Sequence, residues 1–178
     1  GAVTWWEDHD LYLDCSDADG TEIPETYTRR MRSSIILLGP VLSRNKKCRI
    51  GYPGGCIIGK RPIDLHLMAL GTLGADISEQ TFYLDAECSR FQGKDIYFTK
   101  SSVGATQQAI LAAVMAQGVT KLHNCAKEPE VFWLCRYLRS MGALIKGEET
   151  KEIMITGIRE LGPGNYTIPP DRIVAGTY

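Results

Sequence analysis

The sequence predicts an α/β protein built from repeated β-α-β-α-β-β units. Three observations predict it. The same layout of short strands and apolar helical faces occurs over 27–85 and again over 97–155. The copies lie about 68 residues apart, from Gly74 to Gly142, a period that marks stacked supersecondary units sharing a core. The composition is globular, with 44% apolar and 23% charged residues in 178, which argues against disordered and fibrous classes.

Each element follows from its own pattern. The chain opens on Gly1-Ala2-Val3-Thr4-Trp5, which matches the Gly-Ala-strand that ends a unit, so 1–20 reads as the end of one unit. A second unit covers 26–90. Its first helix carries Ile35, Leu38, Val41 and Leu42 at helical spacing, and a strand follows at 47–50. Arg61-Pro62 leads into a second helix with Leu65, Met68, Ala69 and Leu73 inward. A proline suits the first helical position, where its missing N–H costs nothing.

A third unit covers 93–157. Its alanine-rich first helix places Ile110, Ala113, Val114 and Gln117 on one face, and a strand follows at 119–123. Glu128-Pro129 opens a helix with Val131, Leu134, Leu138 and Met141 inward. Both second helices run into Gly-Ala, at Gly74-Ala75 and Gly142-Ala143, with the glycine as helix C-cap. Strands at 143–146 and 152–156 close the unit. A strand at 165–168 and a helix starting at Asp171 make 164–178 the start of another domain. The chain thus enters one unit late and leaves another early, as expected of a segment of a longer protein.

Twenty Lys and Arg against 21 Asp and Glu give a net charge of −1. No nucleic-acid partner and no membrane partner is expected from that balance. The longest apolar run, 35–38, is far below the roughly 18 residues that span a bilayer, and the N-terminus lacks a signal-peptide pattern. Six cysteines stand at 15, 48, 56, 88, 125 and 135, with no CxxC pair and no histidine cluster. They read as reduced thiols of a cytoplasmic protein, most of them in the core, with no metal site.

Three segments could carry chemistry. Between strand and helix, Tyr52-Pro53-Gly54-Gly55-Cys56-Ile57-Ile58-Gly59-Lys60-Arg61-Pro62-Ile63-Asp64-Leu65-His66 holds three glycines and one thiol beside two cations. Glycines allow close backbone approach to a ligand, and a positive potential favours a reactive thiolate. The alternative is a buried loop cysteine without a role. Thr99-Lys100-Ser101-Ser102-Val103-Gly104-Ala105-Thr106 offers free helix N–H groups and a lysine to an anion; the alternative is a plain cap by Ser101 or Ser102. Of Arg29, Arg30 and Arg32, one is expected to face inward beside the cysteine loop and two to be solvated.

Taken together, these segments resemble the UDP-N-acetylglucosamine enolpyruvyl transferases (1-carboxyvinyltransferases) of peptidoglycan synthesis. The resemblance rests on Met31-Arg32-Ser33-Ser34-Ile35, Leu38-Gly39-Pro40, Pro53-Gly54-Gly55-Cys56 with Ile58-Gly59, Arg61-Pro62-Ile63-Asp64-Leu65-His66, Ser102-Val103-Gly104-Ala105-Thr106, Glu128-Pro129-Glu130 and Pro170-Asp171-Arg172-Ile173. These stretches cover nearly the whole chain in family order. The resemblance implies an inside-out α/β barrel, with helices inside and sheets outside, in two domains whose cleft holds the active site.

It also implies the chemistry. The enolpyruvyl group of phosphoenolpyruvate passes to the 3-hydroxyl of UDP-N-acetylglucosamine, and phosphate is released. Cys56 would protonate the methylene carbon and would be the thiol that fosfomycin alkylates. Arg32 and Arg61 would bind anionic groups and stabilise developing charge. Lys100, Ser102, Val103 and Gly104 would cradle the nucleotide diphosphate. Pro62, Asp64 and Leu65 would help form the nucleotide pocket, and Glu128 and Asp171 would line the cleft. No cofactor is implied. The family's Lys-Asn pair would precede Gly1, and its aspartate base belongs to the second domain, so this segment alone is expected not to turn over. Ile57, Lys60 and Val174 depart from the family pattern. They leave open a non-catalytic UDP-sugar-binding or regulatory relative.

Overall fold

The computed structural model describes residues 2–54 and 62–177. The repeat is present in three dimensions. In the second unit, β3 (Glu22–Ile23) is followed by the short helix α1 (Glu25–Thr28), a 3-10 turn (Arg32–Leu37) and α2 (Leu38–Asn45). Then come β4 (Lys47–Gly51), α3 (Asp64–Thr72), β5 (Asp76–Glu79) and β6 (Tyr83–Glu87). The third unit is β7 (Asp95–Tyr97), α4 (Val103–Ala113), β8 (Val119–His123), α5 (Pro129–Ser140), β9 (Leu144–Lys146) and β10 (Glu152–Thr156). The strand orders are β3-β4-β6-β5 and β7-β8-β10-β9. In each sheet the first pair is parallel and the rest antiparallel.

The strands alternate as half-buried strands must. Cys48 and Ile50 of β4 point inward while Lys47 and Arg49 face solvent, and β8 and β10 repeat the pattern. Helices fill the space behind the sheets. Helix α4 is central, packing against α2, α3 and α5, and Ala105, Thr106, Gln108, Ala109, Ile110, Ala112 and Ala113 are all buried on it. Its small side chains let three neighbours approach. Each large residue of the core, such as Ile50, Leu70, Leu84, Leu122 or Ile153, contributes about 1.5–3 kcal/mol by burial.

Both second helices end alike. At α3 the Ala75 N–H donates to Leu70 O and the Gly74 N–H to Gly71 O; at α5 Ala143 donates to Leu138 and Gly142 to Arg139. This paired bonding is the Schellman motif. It requires a left-handed residue, and Gly74 and Gly142 have φ of +105° and +97°.

Three sequence expectations change. Pro62 is not the first helical residue of α3: the helix starts at Asp64 with Ile63 as N-cap. Pro129 does occupy the expected place in α5. The strand expected at 165–168 is not formed. No sheet edge meets it, and Tyr166 instead lays its ring edge-on against Tyr137. Finally, the sheets of the described residues do not close into a barrel. They are two four-stranded sheets plus a hairpin of β1 (Val3–Glu7) and β2 (Asp10–Asp14) whose residues are all exposed. A last helix, α6 (Arg172–Thr177), follows Asp171. No helix among the described residues is long and apolar enough to cross a membrane.

Candidate functional site

The first two turns of α4 organise one end of the molecule. Ser102 is its N-cap, with extended backbone, and its Oγ accepts from the Ala105 N–H at 3.4 Å. The first N–H groups of a helix have no acceptor within it, so Val103 and Gly104 present donors at the positive end of the helix dipole. Gly104 lies against α3. A Cβ there would stand 3.0 Å from His66 Cε1 and 3.2 Å from Nε2. The third helix joins through Gln107, which donates to Glu130 O at 3.4 Å. Thr106 Oγ1 accepts from Ala126 N at 3.1 Å in the loop before α5. The N-terminal ends of α3, α4 and α5 therefore gather at one place, an arrangement that favours anions.

Arg32 brings a cationic side chain to this end. It is half-buried, and its Nη2 donates to Pro62 O at 3.0 Å, tying the 3-10 turn to the approach to α3. Arg29 and Arg30 are exposed, and Arg29 pairs with Glu25 at 2.7 Å. Behind Gly104 lies a buried pair, His66 and Gln108, 7% and 0% exposed. His66 Nδ1 is in close contact with Gln108 Oε1. Burial holds the imidazole below its usual pKa, and the Arg32 charge pushes the same way. The bond to Gln108 and the Asp64 carboxylate oppose them. The balance favours the neutral ring.

A second group surrounds the start of α5. Glu128 is the half-buried N-cap residue and makes no side-chain cap bond. Arg172 holds both carboxylate oxygens of Glu130, at 2.9 and 3.1 Å, and this keeps the Glu130 carboxyl below its ordinary pKa. Asp171 Oδ1 accepts from the N–H groups of Ile173 and Val174 and so starts α6. Between α5 and the segment from Gly164 to Ile173 lies a cavity of about 840 Å³, walled by Trp133, Leu134, Tyr137, Tyr166 and Ile168. Its walls are apolar and its cation is already paired, so it is no anion site.

Of the residues singled out in the sequence, Arg32, Pro62, Asp64, Leu65, Ser102, Val103 and Gly104 thus meet where α3 and α4 begin. Leu65 turns into the core, 6% exposed, while Asp64 and Pro62 are exposed. Lys100 is exposed on the loop before α4. Glu128 and Asp171 belong to the second group. Cys56 and Arg61 lie outside the described residues. The sequence reading gave no role to the His66–Gln108 pair. Its members are 42 residues apart and in different units; His66 closes the 61–66 stretch that carries the resemblance, but Gln108 belongs to no motif. No group of three or more His, Cys, Asp or Glu among the described residues is arranged to hold a metal ion.

Two repeated sheets backed by helices, with helix N-termini gathered at one end, are an architecture this chain shares with solved enolpyruvyl transferases. An enolpyruvyl transferase, NikO from Streptomyces tendae, superposes with a TM-score of 0.71 at 23% identity, over 88% of this chain and 37% of its own. An EPSP synthase from Acinetobacter baumannii gives 0.63 at 18%, over 91% of this chain and 37% of its own. At such identities the likeness shows the fold alone. The chain belongs to the EPSP synthase (3-phosphoshikimate 1-carboxyvinyltransferase) family, whose model matches residues 1–178. A relative named UDP-N-acetylglucosamine 1-carboxyvinyltransferase 2, from Caldanaerobacter subterraneus subsp. tengcongensis, is 47% identical over 100% of this chain and 43% of its own length. A UDP-N-acetylglucosamine 1-carboxyvinyltransferase from Orientia tsutsugamushi is 53% identical over 87% of this chain and 37% of its own. The chain thus spans about two-fifths of the length of these relatives.

Proposed function

We propose that the protein carrying this chain transfers the enolpyruvyl group of phosphoenolpyruvate to the 3-hydroxyl of UDP-N-acetylglucosamine, with release of phosphate. The observation that carries this reading is the identity of 47% and 53% to relatives named for that transfer. The gathered helix N-termini support it, because a nucleotide diphosphate needs such donors.

In this reading, the diphosphate lies at Ser102, Val103 and Gly104 with Lys100 nearby, and Pro62, Asp64 and Leu65 border the nucleoside. Arg32 and Arg61 neutralise phosphoenolpyruvate through charge-assisted hydrogen bonds. The sugar oxygen adds to C2 while the Cys56 thiol protonates the methylene carbon. The hydroxyl proton goes to a base outside this chain. Elimination then removes one proton from that carbon and expels phosphate, restoring the double bond. Glu128 and Asp171 line the cleft to the second domain, and this segment alone does not complete the cycle. The wider role is the first committed step of peptidoglycan synthesis, in the cytoplasm, serving cell shape and division, with Cys56 as a fosfomycin target.

Phosphate release by the full-length protein, given both substrates, tests the reading. We expect turnover that Cys56→Ala lowers by about 100-fold or more, the size of a lost general acid. Full-length protein that binds the nucleotide sugar but releases no phosphate would instead be a non-catalytic relative. Full activity in Cys56→Ala would remove the thiol from the mechanism.

A further inference from the structure

The His66–Gln108 pair has a geometry that packing alone does not call for. Gln108 is fully buried, yet its Nε2 has no hydrogen-bond partner among the described residues. What the amide does engage is His66 Nδ1, through Oε1. An amide oxygen only accepts, so with Oε1 toward the ring Nδ1 is the protonated nitrogen. The other nitrogen, Nε2, is then the bare one. Its edge of the ring lies where a side chain at Gly104 would begin, 3.2 Å from that Cβ position. The bare nitrogen therefore sits beside the first turn of α4, where the free N–H groups of Val103 and Gly104 lie. Among the described residues, Arg32 and Asp64 are the charged groups that act on the ring. Burial, and after it Arg32, oppose a second proton on the ring while the site is empty. A bound anion pulls the other way, because opposite charge within a few ångströms favours the charged imidazolium.

We propose that His66 is a proton-linked contact for the diphosphate at the start of α4, taking a solvent proton on Nε2 as the nucleotide binds, and that Gln108 is the residue positioning it. The inference rests on the nucleotide reading above and deepens it. In the empty site the ring is neutral, with its one proton donated to Gln108. In the occupied site the same bond persists and Nε2–H donates to a phosphate oxygen. Gln108 matters because it assigns the exchanging proton to the nitrogen that faces the ligand. Gly104 matters because any side chain there would displace that edge.

The linkage has a sign. Below the pKa of the empty site His66 is charged in both states, and above that of the occupied site it is neutral in both. Between them binding tightens as pH falls, by at most about tenfold per pH unit for one proton.

The test is calorimetric titration of UDP-N-acetylglucosamine into the full-length protein at neutral pH, in buffers of different ionisation enthalpy. We expect net uptake of up to about one proton per nucleotide. His66→Gln should still bind, more weakly, with that uptake gone. Gln108→Leu should bind with reduced uptake, because the proton is no longer assigned to Nδ1. Binding with no uptake overturns the inference and leaves the nucleotide reading intact; so does uptake unchanged in His66→Gln. Failure to bind the nucleotide at all sinks both. Should the variants not fold, the nitrogen spectrum of wild-type His66 decides. A shift of Nε2 from bare to protonated on adding nucleotide supports the inference, and no shift overturns it.

Discussion

At the scale of the single residue, burial decides which thiols are chemically available. Cys48, Cys125 and Cys135 are buried in the core. Loss of hydration pushes the Cys48 thiol up to about 11 and those of Cys125 and Cys135 up to about 12. Only the thiolate is nucleophilic, so these three are doubly protected, by access and by protonation. Cys15 is exposed. Iodoacetamide at pH 8, followed by peptide mass mapping, should label Cys15 ahead of Cys48, Cys125 and Cys135, which should react only in denaturant. Early labelling of Cys125 would mean that the start of α5 opens readily. The same shifts give stability a direction with pH. An unfolded thiol ionises near pH 8.5, well below these folded values. Stability is therefore fully present below that pH and declines above it.

At the scale of the element, legibility followed local chemistry. The Gly-Ala ends of α3 and α5 were readable because a left-handed cap excludes nearly every other residue. The strands at β4 and β8 were readable because their inward and outward residues alternate. The supposed strand at 165–168 has some of that alternation, but a strand exists only through a partner, and sequence does not show one. Pro62 was misplaced by two residues because proline tolerates both the first helical turn and the extended approach to it. The His66–Gln108 pair was invisible for a further reason: it is made by two helices of different units. The caps can be tested. Gly142→Ala forces a side chain into φ of +97°, which costs roughly 1–2 kcal/mol for an L-residue. Nothing else would crowd the new Cβ within 4 Å, so the loss seen in urea unfolding should be backbone strain alone. Gly74→Ala, at +105° and equally uncrowded, should lose about as much. A much larger loss at one cap would show that the two helix ends are not equivalent.

At the scale of the whole molecule, the units are two in sequence but one in packing. A unit that merely repeated its neighbour would have its own core and could open by itself. Here α4 belongs to the third unit and yet packs against α2 and α3 of the second, as well as against α5. Most of its residues are buried, and apart from Ile110 these are alanine, glutamine and threonine. Removing α4 would take a shared neighbour from α2, α3 and α5 and uncover the third unit's sheet where it packs on β8 and β10. The two units should therefore unfold together, and amide hydrogen exchange can read this directly. Ile50 in β4 and Leu122 in β8 are both fully buried, one in each sheet. Their amides should exchange with the same opening free energy, that of global unfolding. The hairpin of β1 and β2, exposed along its whole length, should exchange orders of magnitude sooner. If Ile50 and Leu122 exchanged with clearly different free energies, the shared helix would not couple the units. The end where α3 and α4 begin would then be a hinge between two independent bodies, not one rigid site.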